Sequence, residues 1–253
     1  MTSFGLDGRR VLITGGYGGI ARHMASRFLQ AGCSLILMGR DADKGRALVE
    51  ELGQDDKVLF AQGDVTSFDD CTSAVALAHK HFGGVDVVVA AAGCNRRLPP
   101  EDMPIEVWNE VWRSHVDGTF FICRAAFDAL KASPHGKIIT IGSVMSQRAN
   151  EVSPAYGAGK GGVVQLTQSF AVSWAKYAIQ ANCILPGWID TPLTKQARLD
   201  IPGLDDDVKK RTPAGRWGTP SDLAGVALFL ASPHSDFVTG AAIPVDGGYL
   251  ARA

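Results

Sequence analysis

The sequence predicts an α/β fold, a single doubly wound domain whose seven-stranded parallel sheet lies between two layers of helices. Three observations carry that reading. Short apolar runs alternate with longer stretches of helical period from end to end. Several of the short runs are apolar at every position, Val87-Val-Val89 among them, as in strands covered on both faces. No linker-like shift in composition and no short repeat divides the 253 residues, a length that one α/β domain can fill.

The elements follow in order. Val11–Thr14 reads as a first strand and Gly19–Gln30 as a helix with Met24, Ala25, Phe28 and Leu29 on one face. Leu35–Met38 is a second strand and Asp43–Leu52 a second helix. Val58–Ala61 is a third strand and Ser67–His81 a third helix. Val85–Val89 is a fourth strand, followed by one long helical stretch from about Ile105 to Lys131. Lys137–Ile141 is a fifth strand, Pro154–Tyr177 a long helix, and Ala181–Leu185 a sixth strand. A polar segment containing Pro and Gly spans about 188–216 and reads as irregular. Thr219 and Pro220 mark the start of a helix running to Leu230. Ala241–Val245 closes the sheet as a seventh strand.

Composition removes several classes. The formal net charge is −1, so no basic excess exists to neutralise a phosphate backbone, and no nucleic-acid partner is expected. Five scattered cysteines form no Cys-x-x-Cys pair, which predicts neither a zinc site nor a disulfide framework and fits a reducing, cytoplasmic setting. The start of the chain shows no basic-then-apolar leader, and no apolar run approaches membrane-span length. His79 and His81 read as solvated residues near a helix end, and Trp108 and Trp112 as packing, in the core or between subunits.

Thr14-Gly-Gly-Tyr-Gly-Gly-Ile-Ala21 lies between the first strand and the first helix. A glycine turn there permits a tight bend at Gly15 and a close backbone approach at Gly19, and the helix N-terminus attracts a pyrophosphate. This is the Rossmann arrangement, and it predicts a dinucleotide. An acidic residue normally ends the second strand and bonds the ribose 2′-hydroxyl. Gly39-Arg40 stands there instead. A guanidinium suits a 2′-phosphate, so NADP is favoured over NAD, with Asp41 next door weakening the case.

Tyr156 and Lys160 are four residues apart near the start of a predicted helix, on one face. A phenol is a poor base at neutral pH, and a neighbouring ammonium should lower its pKa. Ser143 follows the fifth strand, where it can hydrogen-bond a substrate oxygen. Such a trio suits proton transfer to a forming alkoxide or from an alcohol.

With these motifs in place, the sequence resembles the short-chain dehydrogenase/reductase family over nearly its whole length. The carrying residues are the glycine turn, Asp64-Val65, Ala90-Ala-Ala-Gly93, Ser143, Tyr156/Lys160, Pro186-Gly-Trp-Ile-Asp-Thr191 and Val245-Asp-Gly-Gly248. The resemblance implies Tyr156 as acid/base, Ser143 as substrate positioner, and Lys160 as both tuner of Tyr156 and holder of the nicotinamide ribose. It implies that Gly15, Tyr17, Gly19, Ile20 and Arg40 contact the cofactor, that Asp64 and Val65 flank adenine, and that Gly93 lines the site. Pro186, Gly187, Ile189 and Thr191 would meet the nicotinamide end, 188–216 would be a substrate lid, and the protein would be a homotetramer paired through its two long helices and C-terminal segment. Three departures from the family stand out: Ala21 for a turn glycine, Ala90 and Ala91 in the Asn-Asn-Ala-Gly stretch, and His115 for the asparagine that helps hold a relay water.

Cys94-Asn-Arg-Arg97 and Arg211–Asp222 are similar to gluconate 5-dehydrogenases and 2-deoxygluconate 3-dehydrogenases within that family. That similarity implies a keto-sugar-acid substrate with Arg96 or Arg97 on its carboxylate. The alternatives left open are a 3-oxoacyl-thioester or other ketone reductase, and a cofactor-binding regulatory or scaffold protein without turnover.

Overall fold

The computed structural model describes residues 4–54 and 56–252. Seven strands pair in parallel: β1 (Arg10–Thr14), β2 (Ser34–Gly39), β3 (Val58–Gln62), β4 (Val87–Ala90), β5 (Lys137–Ile141), β6 (Gln180–Pro186) and β7 (Ala242–Val245). Their order is β3-β2-β1-β4-β5-β6-β7. The order reverses between β1 and β4, so the crevice beyond their carboxyl ends is the expected ligand position. Thr14 pairs in register with Ala90, and Ala90 with Thr140, which brings the glycine turn and the segments after β4 and β5 to one edge.

Successive strand residues point to opposite faces, and here both faces are apolar. Ile13, Leu35, Leu37, Val87, Val89 and Ile139 join one core with α1 (Gly19–Gln30), through Met24 and Phe28. Leu12, Ile36, Val88 and Ile138 join the other with α3 (Phe68–Phe82), through Cys71, Ala74 and Ala78. Helix α2 (Ala42–Leu52) is capped by Asp41, whose carboxylate accepts from the Lys44 N–H.

The long helix expected from Ile105 to Lys131 is broken. Helix α4 (Ile105–Trp112) passes through one π turn at Arg113–Asp117 into α5 (Gly118–Ala125), and α6 (Phe127–Ala132) follows a second break. The π turn puts His115 on the inner side, 2% exposed. Helix α7 (Pro154–Trp174) packs against it.

The segment read as irregular contains two helices, α8 (Pro192–Asp200) and α9 (Leu204–Arg211). Their signals were present in the chain. Thr191 caps α8 with Pro192 at its first position, and α9 opens on Asp205–Asp207 and closes on Lys209–Arg211, in keeping with its dipole. A small core of Ala197, Leu204, Val208 and Trp217 holds them. Helix α10 (Pro220–Ala231) begins at Thr219 as expected, with the Asp222 carboxylate accepting from the Thr219 N–H at 2.7 Å.

Candidate active site

A cleft of about 640 Å³ opens at the switch point, lined by Gly15, Tyr17, Gly18, Gly39, Arg40, Asp64, Val65 and the Ala91–Cys94 segment. Its floor is made by bare backbone. Gly15 has φ +65°, and a Cβ there would stand 2.9 Å from the Ala92 Cα. The Thr14 hydroxyl oxygen accepts from the Ala91 and Ala92 N–H groups at 3.1 and 3.2 Å, tying the end of β1 to the segment where the family's asparagine is missing. The start of α1 reaches this cleft at Gly18, so bare glycine backbone, a helix N-terminus and an arginine at the rim fit a dinucleotide. Gly19 has a further neighbour. A Cβ on it would come within 3.1 Å of Thr191 and Pro192, so its missing side chain also accommodates the start of α8. Ile189 is buried in the main core, and Thr191 is a cap. Neither they nor Ile20, Pro186 and Gly187 line the cleft.

At the end of β2, Arg40 is exposed and stands 3.8 Å from the Asp64 carboxylate. Asp64 is itself occupied, accepting from the Thr66 N–H and hydroxyl at 2.9 Å each.

The catalytic candidates lie beside the segment after β4. Ser143 is buried, and its hydroxyl oxygen accepts from the Met145 N–H at 3.1 Å. Tyr156 sits on the first turn of α7. Burial raises its pKa, while a hydrogen bond with Ser143 and the charge of Arg97 pull it down. The expected effect of Lys160 is not what lowers it here. Lys160 is 5% exposed and donates to the Ile141 carbonyl at 2.6 Å, with its Nζ 5.7 Å from the Tyr156 ring centroid. Burial with no carboxylate beside it brings its own pKa down to about 8.

His115 lies edge-on to the Tyr156 ring at 5.3 Å. Its Nε2 meets the Cys94 carbonyl at 2.7 Å, so Nε2 carries the hydrogen and Nδ1 is the bare acceptor. Nδ1 is buried without a hydrogen-bond partner. A Cβ on Gly93 would fall 2.1 Å from the His115 ring, and one on Gly159 would be 3.3 Å from its Cβ. Two glycines thus make room for the imidazole. Burial drives its pKa down to about 3, helped by the Lys160 charge, so the ring is neutral throughout the physiological range.

The adjacent arginines separate. Arg96 is exposed and donates to Glu110 on α4 at 2.8 Å. Arg97 is half-buried, has no ion-pair partner among the described residues, and lies close enough to Tyr156 for its charge to act there. Sequence reading missed Gly18, Glu110 and Lys44. Gly18 was visible in the turn itself. The others are polar helix residues whose partners only the fold reveals. His79 and His81 are exposed, Trp108 stacks on Trp112, and no metal-ligating cluster occurs among the described residues.

A doubly wound sheet with a glycine-floored cleft at its switch point, and a serine, tyrosine and lysine gathered beyond β5, defines a dinucleotide-dependent oxidoreductase. The chain belongs to the short-chain dehydrogenase/reductase family. A family model described as enoyl-(acyl carrier protein) reductase matches residues 15–250. The chain is 36% identical to the 2-dehydro-3-deoxy-D-gluconate 5-dehydrogenase of Escherichia coli K12, covering 100% of this chain and 99% of that one. It is also 36% identical to the galactitol 2-dehydrogenase (L-tagatose-forming) of Cereibacter sphaeroides, over 98% and 97%. A crystal structure of a gluconate 5-dehydrogenase from Burkholderia cenocepacia J2315, in complex with NADP and tartrate, superposes with TM-score 0.93 at 37% identity, covering 99% of this chain and 98% of that one.

Proposed function

We propose that the protein interconverts a secondary alcohol and a ketone on a sugar acid, with NADP as the hydride carrier and Tyr156 as the proton donor or acceptor. The observation that carries the substrate class is Arg97. A half-buried guanidinium without an ion-pair partner among the described residues, near enough for its charge to act on Tyr156, is a ready partner for a substrate carboxylate. Arg96 is already held by Glu110.

When bound, the cofactor would carry the hydride, NADPH giving it to the carbonyl carbon or NADP accepting it from the carbinol carbon. The chain does the rest. Ser143 and Tyr156 hydrogen-bond the carbinol or carbonyl oxygen, and Tyr156 gives or takes its proton. Burial keeps the phenol protonated at neutral pH, so it is ready to act as the acid in ketone reduction. Oxidation needs the phenolate and should rise with pH. Lys160 holds the end of β5 through Ile141 and supplies positive charge below about pH 8. His115 acts as a neutral positioning residue, tying the Cys94 carbonyl to the tyrosine's ring. Residues 188–216, with α8 and α9, serve as the lid. Exposed Trp112, Phe120 and Val172 on α4, α5 and α7 support pairing of copies into a homotetramer, and the unpaired state of all five cysteines supports a cytoplasmic setting.

The experiment is kcat/KM for a keto-gluconate and for a matched neutral ketose, in wild type, Arg96→Ala and Arg97→Ala. Arg97→Ala should lower the value for the acid about 10–100-fold more than for the neutral substrate, the worth of one charge-assisted pair. Arg96→Ala should do little. Equal losses on both substrates would move the reading to a neutral polyol or an acyl thioester.

A further inference from the structure

The end of β2 carries more than Arg40. Gly39 is buried, and a Cβ built on it would lie 2.3 Å from Cε1 of Tyr17 and 3.1 Å from Cδ1 and Cζ. These are atoms of the ring itself, which no small side-chain rotation removes. The ring is also held. Its centroid is 6.3 Å from that of Phe60 on β3, and its hydroxyl oxygen accepts from the Asp41 N–H at 3.2 Å. The space above the strand end, where a side chain at position 39 would stand, is therefore filled by Tyr17.

Asp41 is the one carboxylate of this turn, and it is turned away into α2. One oxygen accepts from the Lys44 N–H at 3.1 Å, and the other is 2.8 Å from Lys44 Nζ. The pairing lowers the Asp41 pKa, with Lys44 as its first cause. The acidic residue that seemed to argue against a 2′-phosphate is thus matched by a charge of opposite sign three residues on.

We propose that Tyr17 and Lys44 determine the choice of cofactor: Tyr17 occupies the volume over Gly39 that a ribose-binding carboxylate would need, and Lys44 offsets Asp41, leaving Arg40 to face a 2′-phosphate. This rests on the NADP reading above but goes beyond it, because it assigns the exclusion of NAD to residues that need not touch the phosphate. A carboxylate at position 39 cannot be added alone. It requires the ring at position 17 to be removed as well.

Cofactor-free protein is titrated with NADPH and with NADH by the fluorescence of the reduced nicotinamide, and melting temperatures are taken alongside. Gly39→Asp alone should lower the melting temperature and weaken both cofactors. Gly39→Asp with Tyr17→Ser should recover stability and prefer NADH. A milder pair covers the case in which the aspartate variants do not fold. Gly39→Ala should destabilise when Tyr17 is present and much less when it is Ser, a coupling that a double-mutant cycle reads directly. Lys44→Gln should weaken NADPH about two- to fivefold with little change for NADH, as expected for an exposed charge, and the difference should shrink at 1 M salt. A Gly39→Asp protein that folds normally and prefers NADH would overturn the steric part, as would additive Gly39→Ala and Tyr17→Ser effects. An unmoved NADPH:NADH ratio in Lys44→Gln would overturn the charge part. A wild type that prefers NADH would instead overturn the NADP reading, and the Gly39–Tyr17 coupling would still report on the block.

Discussion

Two buried lysines sit at opposite ends of the central strands, and their surroundings differ in one respect. Lys137 begins β5, is 2% exposed, and donates to Asp236 at 2.6 Å, with Ser235 3.5 Å away. Lys160, from α7, reaches the other end of the same strand, is 5% exposed, and among the described residues has the Ile141 carbonyl as its hydrogen-bond acceptor and no carboxylate within ion-pair distance. Nearby, Asp86 accepts from Arg10 and Ser133, so two ion pairs stand at the amino ends of the strands, beside a buried Arg9 whose Nη1 has no hydrogen-bond partner among the described residues. The carboxyl ends hold Lys160 and Arg97 without carboxylates and His115 without a charge. A buried cation given its counter-ion is architecture. Lys160 and Arg97, without one among the described residues, are free to meet the cofactor and the substrate carboxylate proposed above. The arrangement has a cost: with its pKa at about 8 instead of 10.5, charged Lys160 is disfavoured in the folded state by about 3 kcal/mol. That penalty is present below pH 8 and is relieved as pH rises toward 10.5.

The sharpest way to break this comparison is to delete chemistry at one end and look for a loss of stability. Tyr156→Phe keeps the ring and its contact with His115 but removes the proton. Turnover should fall about 10²–10⁴-fold, with cofactor affinity and melting temperature nearly unchanged. Lys160→Met should likewise lose turnover while melting at or above the wild-type temperature near pH 7, because an unmatched buried charge has gone. Near-normal turnover in Tyr156→Phe, or a marked drop in the melting temperature of Lys160→Met, would remove the distinction between the two ends.

The sequence makes the two lysines hard to tell apart. Lys137 stands at the head of a strand with no acidic residue near it in the chain; Asp236 is 99 positions away. Lys160 is legible only because it follows Tyr156 at helical spacing. The sheet was legible in full, since strands apolar on both faces and a glycine turn leave few alternatives. Helices α8 and α9 went unread despite the signals at their ends, because α9 is dominated by charge and its apolar side is Leu204 and Val208 alone. The break at His115 was not legible either. A π turn keeps the same residue types as a helix, and what demands it is a tertiary fit between Gly93 and Gly159. The sorting of Arg96 from Arg97 depended on Glu110, which looked like any solvated helix residue. Long-range pairings of this kind leave no local periodicity to read.

His115 sharpens the comparison through pH. Its folded pKa is about 3 against an ordinary 6.5. Between those values the unfolded chain binds a proton that the folded protein refuses, so stability rises with pH across that window and is lost as the medium is acidified. The whole effect is on the order of 5 kcal/mol, and about a third of it falls between pH 6.5 and 5. His115→Asn cannot titrate there, so its unfolding free energy by urea should be flatter over that interval by about 2 kcal/mol. Asparagine can still donate to Cys94, and turnover should survive. His115→Leu should lose most of it by releasing the Cys94 carbonyl. A folded, fully active leucine variant would leave His115 as packing alone, and equal pH slopes in wild type and His115→Asn would mean that the ring takes up its proton as readily in the fold as in the unfolded chain.

The smallest effect tests the structural end. Asp236→Asn removes the counter-ion of Lys137 but leaves the ammonium 2% exposed beside Ser235. Breaking a fully buried pair by removing one partner typically costs 3–5 kcal/mol, but Asp236 is 67% exposed, so water can approach the pair and screens most of that. The expected loss is about 1–2 kcal/mol in urea unfolding at pH 7. Burial already disfavours charged Lys137, and Asp236 is the group that opposes it, so the variant should let Lys137 lose its proton more easily and its deficit should narrow as the medium is made alkaline. Turnover should not change, since β5 is anchored at its other end by Lys160. If Asp236→Asn alters kcat as much as it alters stability, the two ends of β5 are coupled through the strand, and Lys137 belongs to the positioning of the site.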